Sequence, residues 1–214
     1  MYLPASFSLD DEVTIEAFIG QYDFATIVTA SSSGPIVTHA PLIARRGPEG
    51  GLVLVGHVAR ANDHWRAMDG ASPAVAIFHG PHGYVSPTWY ASGPAVPTWN
   101  YAVVHAHGKP RAADDDSFTE AAVSELVAKY EVGPDAWRID DLPTDFRDDL
   151  MAAIVGFEMP VERLEAKFKL SQNRSDDDRA GAIAGLQRRS SGEASALADL
   201  MRRAMIGNAP GEDG

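Results

Sequence analysis

The 214 residues suit one domain of ordinary size with a short appendage, and a hydrophobic content of 45% is enough for a core. A formal charge of −12 gives no long-range attraction for DNA or for an anionic membrane. The absence of cysteine excludes disulfides, zinc–thiolate sites and thiol catalysis, and it fits a cytoplasmic location. No apolar run reaches the length of a membrane span, and the first residues do not resemble a signal peptide, so we expect neither.

The first part of the chain is predicted to form strands joined by short turns. A helix is predicted from about residue 9 to 21, and β-branched runs predict strands at 23–30, 35–44 and 52–58. Because the turns between these strands are short, we expect an antiparallel meander. A short helix is predicted over 59–68, directly after the third strand.

The segment from Gly70 to Ala113 contains no aspartate or glutamate, although the chain has 30 acidic residues. Strands are predicted at 73–79 and 98–108, and a proline-containing loop from Gly80 to Pro97 is long enough to be functional. Alternation along the later strand predicts one face with Trp99, Tyr101, Val103, His105 and His107. Like charges repel, so missing carboxylates favour an anionic ligand here; a buried, neutral strand pair is the alternative.

The last part of the chain is predicted to be mostly helical. A capping box at Ser117–Glu120 predicts a helix to about residue 131, and a second helix is predicted at 144–153. Residues 153–168 are typical of a strand, the sixth in the chain.

From Ser175 onward the residues are polar and small, with helical patterns near 176–189 and 193–206 and a tail predicted to be disordered. We therefore expect a barrel domain over residues 1–174 and a helical extension over 175–214 that buries little. The predicted fold class is mainly β (α+β), an antiparallel barrel of six strands with peripheral helices.

Three groups of residues could carry chemistry. Arg60 lies where a strand meets a helix, and such a junction suits a phosphate, although a surface arginine would look the same. His105 and His107 could bind a metal, but no third ligand is near in sequence, so we favour ordinary barrel histidines and predict no metal site. A polar and basic cluster at Lys169–Arg174 suits an anionic or carbonyl-rich ligand, with a solvated turn as the alternative.

The sequence contains none of the common catalytic or nucleotide-binding fingerprints. We find no P-loop, no GxGxxG, no GxSxG elbow, no HExxH and no zinc-deaminase signature. No residue stands out as an obligatory acid or base, so the catalytic residues, if any, are unknown.

Six ordered blocks nevertheless resemble the PaiB family, whose members are labelled FMN-binding negative transcriptional regulators. The resemblance extends to about residue 190, and the blocks are Met1–Pro4 with Phe7, His39–Leu42, Gly56–Asn62, Gly80–Tyr90, Val96–Tyr101 and Lys169–Arg174. It implies a split β-barrel of the pyridoxamine-phosphate-oxidase type, which is a homodimer with FMN at the subunit interface.

The resemblance also implies a set of cofactor-binding residues. The strand that lines the flavin ring would hold His39, Ala40, Pro41 and Leu42. The phosphate would lie at His57, Val58, Ala59, Arg60 and Asn62, although Ala59 stands where such barrels usually have serine or threonine. The residues that close the pocket, in part from the second subunit, would be Thr98, Trp99, Asn100, Tyr101, Lys169, Ser171 and Gln172.

The leading functional prediction is an FMN-binding split barrel with a redox or flavin-sensing role. One alternative is a transcriptional regulator that acts without a helix-turn-helix, although the acidic pI and the lack of a basic stripe argue against direct DNA binding. A second alternative is a haem-binding split barrel, because some related barrels handle haem and the chain has seven histidines.

Overall fold

The computed structural model describes residues 1–113, 115–189 and 191–206, so the predicted disordered tail lies outside the described residues. The strands are β1 (Phe24–Thr29), β2 (Ile36–Pro41), β3 (Ile43–Arg46), β4 (Leu52–Ala59), β5 (Ala74–Val85), β6 (Thr98–Gly108), β7 (Arg111–Ala112) and β8 (Ile154–Lys169). The α-helices are α1 (Glu12–Gln21), α2 (Asp116–Tyr130), α3 (Thr144–Ala152), α4 (Asp176–Gln187) and α5 (Gly192–Ile206). None of these helices is long and apolar enough to span a membrane.

The strands form one sheet in the order β2-β1-β5-β6-β8-β4-β3, with β7 beside β8. The pairs β1–β2, β1–β5, β3–β4 and β4–β8 are antiparallel, so a mainly antiparallel fold with added helices is confirmed, and the split-barrel kind of fold fits it. The predicted number of strands is wrong, because the described residues form eight rather than six.

The extra strands have identifiable causes. The strand predicted at 35–44 breaks at Leu42, whose side chain is buried and whose backbone N–H donates to the carbonyl of Asp23 (2.9 Å). The halves on either side of Leu42 pair with different neighbours, β2 with β1 and β3 with β4, so both antiparallel pairings of the predicted meander are present, but its middle strand is divided between opposite ends of the strand order. The two-residue β7 is too short to leave a periodic signal.

The chain divides into two compact units. The central unit comprises Glu16–Phe78 and His105–Leu164, and the terminal unit comprises Met1–Ile15, His79–Val104 and the chain from Glu165 onward. The domain boundary predicted at residue 174 stays a prediction.

In the central unit, the close approach of β2 and β4 depends on Gly56. A Cβ at this position would lie 2.7 Å from Leu42 Cδ2 and 3.1 Å from the carbonyl oxygen of Pro41. Only glycine avoids this overlap. Because β2 and β3 are joined by Leu42 alone and occupy opposite ends of the strand order, the sheet of this unit bends so that its edges meet there.

In the terminal unit, α4 and α5 provide core residues. The most buried apolar side chains of the two helices are at most 1% exposed, and they are Ala182, Leu186, Leu197, Ala198 and Met201. Gly83 of β5 faces both helices, because a Cβ there would lie 3.1 Å from Leu197 Cδ2 and 3.4 Å from Leu186 Cδ2. The prediction that these helices bury little is therefore wrong. We expected small residues to bury little area, but the alanines and glycines permit close helix packing instead.

We predict that truncation after Asn173 abolishes cooperative unfolding of the terminal unit. Each large buried side chain contributes roughly 2–5 kcal/mol, so losing several of them exceeds a typical total stability of about 5–15 kcal/mol. As a milder test, Leu197→Ala should cost roughly 2–5 kcal/mol in urea denaturation, whereas Leu150→Ala, at an exposed position, should cost much less. A truncated chain that melts like the full chain would contradict this account.

Candidate functional site

The central unit brings together two of the predicted cofactor-binding segments, residues 39–42 and 57–62. Gly56 lies against Pro41 and Leu42, and the Asn62 side-chain amide donates to Thr38 Oγ1 (3.0 Å). The end of β2 and the end of β4 are therefore neighbours, as a shared site would require.

The side chains of these segments differ in what they could contact. Ala40, Leu42 and Val58 are buried and belong to the core, so they could reach a ligand only through their backbone. His39 is exposed and its ring stacks on Phe24 at a centroid distance of 6.3 Å. A planar ligand bound beside residues 39–42 would therefore contact aromatic side chains and main-chain groups.

His57 Nδ1 is buried and has no hydrogen-bond partner among the described residues. Burial also lowers the pKa of His57, which favours the neutral ring. A buried polar atom without a partner costs about 1–3 kcal/mol, so such atoms usually mark a missing ligand or water. His57 is thus available to a polar group that the chain itself does not supply.

Arg60 is less available than the sequence suggests. Its Nε donates to the carbonyl of Ala152 (2.7 Å) and its Nη2 to that of Ile154 (3.0 Å), at the turn between α3 and β8. The helix predicted over 59–68 is a five-residue 3-10 helix, Asp63–Ala67, which is too short to offer the N-terminal dipole of an α-helix. These bonds use two of the five N–H donors of Arg60 and fix its position at this turn, so a phosphate could meet only the remaining Nη1 and Nη2 hydrogens.

Asn62 also points inward, into a network that the sequence did not reveal. His64 is 1% exposed; its Nδ1 lies 2.8 Å from Thr38 Oγ1 and its Nε2 lies 2.8 Å from Thr29 Oγ1. Thr38 Oγ1 accepts a bond from Asn62 and can still either donate to Nδ1 or accept from it, so both ring nitrogens of His64 are satisfied in either neutral tautomer. Burial lowers the pKa of His64 and keeps the ring neutral.

The terminal unit brings together the other two predicted segments, Thr98–Tyr101 and 169–172. Lys169 Nζ donates to Thr98 Oγ1 and to the carbonyl of Trp99 (2.7 Å). Asn100 Nδ2 donates to Ser171 Oγ (2.8 Å), and Ser171 adopts a positive φ of 66°. The side chain of Asn100 is fully buried, yet its Oδ1 has no partner in the described part of the chain.

Two lysines of β8 place positive charge in this region. Burial and the nearby charge of Lys167 lower the pKa of Lys169. Lys167 Nζ donates to the carbonyl of Tyr2 (2.9 Å) and lies 5.5 Å from the ring centroid of Tyr101. Neither ammonium forms an ion pair with a carboxylate of the described residues, so an anion bound beside them would relieve their mutual repulsion.

A loop around Trp89 is held against α4 by contacts that the sequence analysis missed. A Cβ at Gly185 would overlap the indole of Trp89, and one at Gly181 would overlap its carbonyl oxygen. Asp178 accepts hydrogen bonds from the backbone N–H (2.8 Å) and hydroxyl (2.6 Å) of Ser92, which lower its pKa. The two glycines and the aspartate therefore fix the loop that leads into β6.

Arginines after β8 cover the same loop. Arg174 lies 4.6 Å from the ring centroid of Tyr90, and Arg189 lies 5.3 Å from that of Tyr84 and 5.4 Å from that of Trp89. The segment without carboxylates thus meets its cations through aromatic faces rather than through ion pairs. The alternative interpretation of that segment, a buried strand pair, holds in part, and the anionic ligand stays a prediction.

The comparisons with known proteins agree on one family. The family model described as "Putative FMN-binding domain" matches residues 1–163. The Bacillus subtilis protein named "Protease synthase and sporulation protein PAI 2" is 34% identical over 203 residues, which cover 94% of this chain and 96% of that one. An uncharacterized protein of Emericella nidulans is 31% identical over 203 residues and covers 80% of each chain.

Solved structures share the fold at low identity. An FAD- and haem-binding protein from Mycobacterium smegmatis has a TM-score of 0.60 at 15% identity, covering 82% of this chain and 79% of that one. The flavocytochrome Anf3 from Azotobacter vinelandii has a TM-score of 0.60 at 15% identity, covering 81% and 75%. At this level of identity the likeness concerns the fold alone.

We predict that Gly185→Ala displaces Trp89. Alanine favours a helix by about 1 kcal/mol over glycine, but the overlap with the indole should reverse the sign and cost about 1–3 kcal/mol. Thermal melting and tryptophan emission measure the two effects. Gly192→Ala is the matched control, because a Cβ at that helical glycine has nothing within 4 Å.

A second substitution separates the Trp89 contact from a general loss of helix stability. Combining Gly185→Ala with Trp89→Leu should recover part of the lost stability, because the smaller side chain leaves room for the methyl group. Equal stability of Gly185→Ala and the unaltered protein would show that α4 does not hold the loop.

Proposed function

This chain belongs to the FMN-binding family whose model it matches, and from that premise we propose that it is a flavoprotein with a redox or flavin-sensing role. The resemblance to the PaiB family is confirmed by the match over residues 1–163 and by the 34% identity to the Bacillus subtilis relative. FMN, the cofactor to which the family points, supplies electron transfer when bound, while the protein supplies position and electrostatics.

The proposal rests on the positions of buried polar atoms that have no hydrogen-bond partner among the described residues. The described residues contain four buried side-chain nitrogen or oxygen atoms without a hydrogen bond, and two of them are His57 Nδ1 and Asn100 Oδ1. Both belong to the segments that resemble the family. FMN could form the missing hydrogen bonds, because its isoalloxazine ring has carbonyl and N–H groups and its ribityl chain has hydroxyls. The residues present therefore fit FMN.

We assign the flavin ring to the edge formed by residues 39–42, where His39 is exposed. His57 would bind a polar atom of the cofactor with its neutral ring. Thr98–Tyr101 and 169–172 would close the site from the second subunit of a homodimer, as in the barrels that the family resembles. The catalytic residues, substrate and electron donor are not assigned.

For the phosphate we favour Lys169 over Arg60. The guanidinium of Arg60 already donates to two carbonyl oxygens, and these bonds fix the turn before β8. Lys169 has only neutral partners, Thr98 Oγ1 and the Trp99 carbonyl, and a like charge nearby. An anion gains more at Lys169, because it would also offset the repulsion from Lys167 at a partly buried place, whereas Arg60 is exposed and its charge is screened by solvent.

The test is a comparison of FMN with riboflavin, which lacks the phosphate. Lys169→Gln should weaken FMN binding by roughly ten- to a hundredfold, the equivalent of losing one charge-assisted hydrogen bond of about 1.5–3 kcal/mol. Riboflavin should bind the variant and the unaltered protein about equally. Flavin fluorescence titration measures both affinities.

Arg60→Gln serves as the competing variant. We expect it to lower the melting temperature, because the turn at Ala152–Ile154 loses two bonds, with a smaller effect on FMN affinity. If Arg60→Gln selectively weakens FMN and Lys169→Gln does not, the phosphate lies at residues 57–62, as the sequence predicts. If the unaltered protein binds neither flavin, the proposed function is wrong.

A further inference from the structure

The segment from Tyr130 to Leu150 of the central unit exposes an unusual number of large apolar side chains. It contains five of the eleven exposed large hydrophobic residues in the described part of the chain: Tyr130 (55%), Val132 (78%), Trp137 (44%), Phe146 (54%) and Leu150 (47%). We call these five side chains the acidic aromatic face. A segment of about a tenth of the chain thus holds nearly half of these residues, a concentration typical of interaction sites.

Helix α3 contributes the helical part of this face. None of its nine residues is buried, and Phe146 and Leu150 are four residues apart, so they project from the same side. Isolated helices of this length are marginal in water and depend on packing of an apolar face. The helix is held at its end by Arg60, which donates to Ala152, but Phe146 and Leu150 are left about half exposed by the described residues.

The surroundings of the face are strongly negative. Residues 131–149 contain seven carboxylates and two arginines, a formal charge of −5. Arg147 lies within 3.9 Å of Glu120, 3.7 Å of Asp140 and 3.5 Å of Asp148, so its charge is already shared among three carboxylates. The remaining carboxylates in this segment give the exposed apolar side chains an acidic border.

The negative charge around the face limits which partner can cover it. It repels nucleic acids and anionic membranes. A second copy of this chain would, in a two-fold arrangement, bring the same negative border against itself. A partner with lysine or arginine around an apolar stripe meets both the apolar side chains and the carboxylates.

The size of the face also points to a short segment. Aromatic side chains bury about 150–250 Å² each when fully covered, so the three aromatic residues, exposed by roughly half, offer on the order of 300 Å², to which the aliphatic Val132 and Leu150 add. A standard protein interface buries about 800 Å² on each partner. An amphipathic helix with anchors at i, i+3 and i+4 requires less area, and the exposed Phe146 and Leu150 of α3 offer it two apolar contacts on one side of a helix.

We propose that the acidic aromatic face of residues 130–150 binds a basic amphipathic helical segment of another protein. The aromatic and aliphatic side chains cover the apolar stripe of that segment, and the carboxylates select its lysines or arginines. This site is independent of the flavin proposal, since it shares none of the residues assigned to FMN.

The probe is a labelled synthetic helix of leucine and lysine, with leucine at i, i+3, i+4 and i+7. Its twin with glutamate in place of lysine tests charge, and a scrambled leucine–lysine peptide tests amphipathicity. Fluorescence anisotropy with the full chain should show binding of the basic amphipathic peptide at least tenfold tighter than that of either other peptide. Raising the salt concentration should weaken that binding, because the charge contribution is screened.

Two substitutions on α3 locate the site. Phe146→Ser combined with Leu150→Ser should weaken peptide binding at least tenfold without unfolding the chain, because both side chains are exposed. Val13→Ser is the matched control, since Val13 is 76% exposed in α1, outside the face, and it should leave binding unchanged. Circular dichroism of each variant checks that the fold is retained.

Three outcomes would overturn the proposal. The acidic and basic peptides could bind equally, or the α3 double variant could bind as well as the unaltered protein. Alternatively, light scattering could show that the α3 double variant dissociates an oligomer that the Val13→Ser control retains. That last result would show that a second copy covers the face.

Discussion

The close approach at Gly56 is the constraint on which the arrangement of the central unit depends. Its backbone lies against Pro41 and Leu42, and it pairs with Phe157 of β8. Any side chain there would push β2 and β4 apart and open the place where the edges of the sheet meet. The same contact makes residues 39–42 and 57–62 neighbours, so the proposed flavin site is a consequence of how this sheet closes.

The terminal unit depends on a different kind of complementarity. Its aromatic segment has no carboxylates, and cations from residues 167–189 approach the rings and main-chain oxygens instead. Glycines on α4 allow the same segment to pack tightly, and Asp178 anchors it through Ser92. A helix that composition predicts to be peripheral therefore determines the position of the loop that enters β6.

Sequence patterns predicted the parts of the fold that depend on local periodicity. The bounds of β6 and the alternation that turns Trp99 and Tyr101 away from the core agree with the structure, because a strand of eleven residues repeats its signal several times. The break at Leu42 was missed although Pro41, which has no N–H to donate to a neighbouring strand, ends β2 directly before it. The bonds of Arg60 to Ala152 and Ile154 connect residues more than 90 positions apart, and the His64 network joins three elements. Such long-range contacts leave no local pattern.

The most direct test of the account is an absorbance spectrum of the protein after incubation with FMN and removal of unbound ligand. The account predicts two retained flavin bands, one in the near ultraviolet and one in the blue, with the position of the bands shifted from that of free FMN by the protein environment. A Soret band on the protein as purified would indicate haem instead. A spectrum with neither flavin nor Soret absorption would contradict the claim that the unpartnered atoms of His57 and Asn100 belong to a cofactor site.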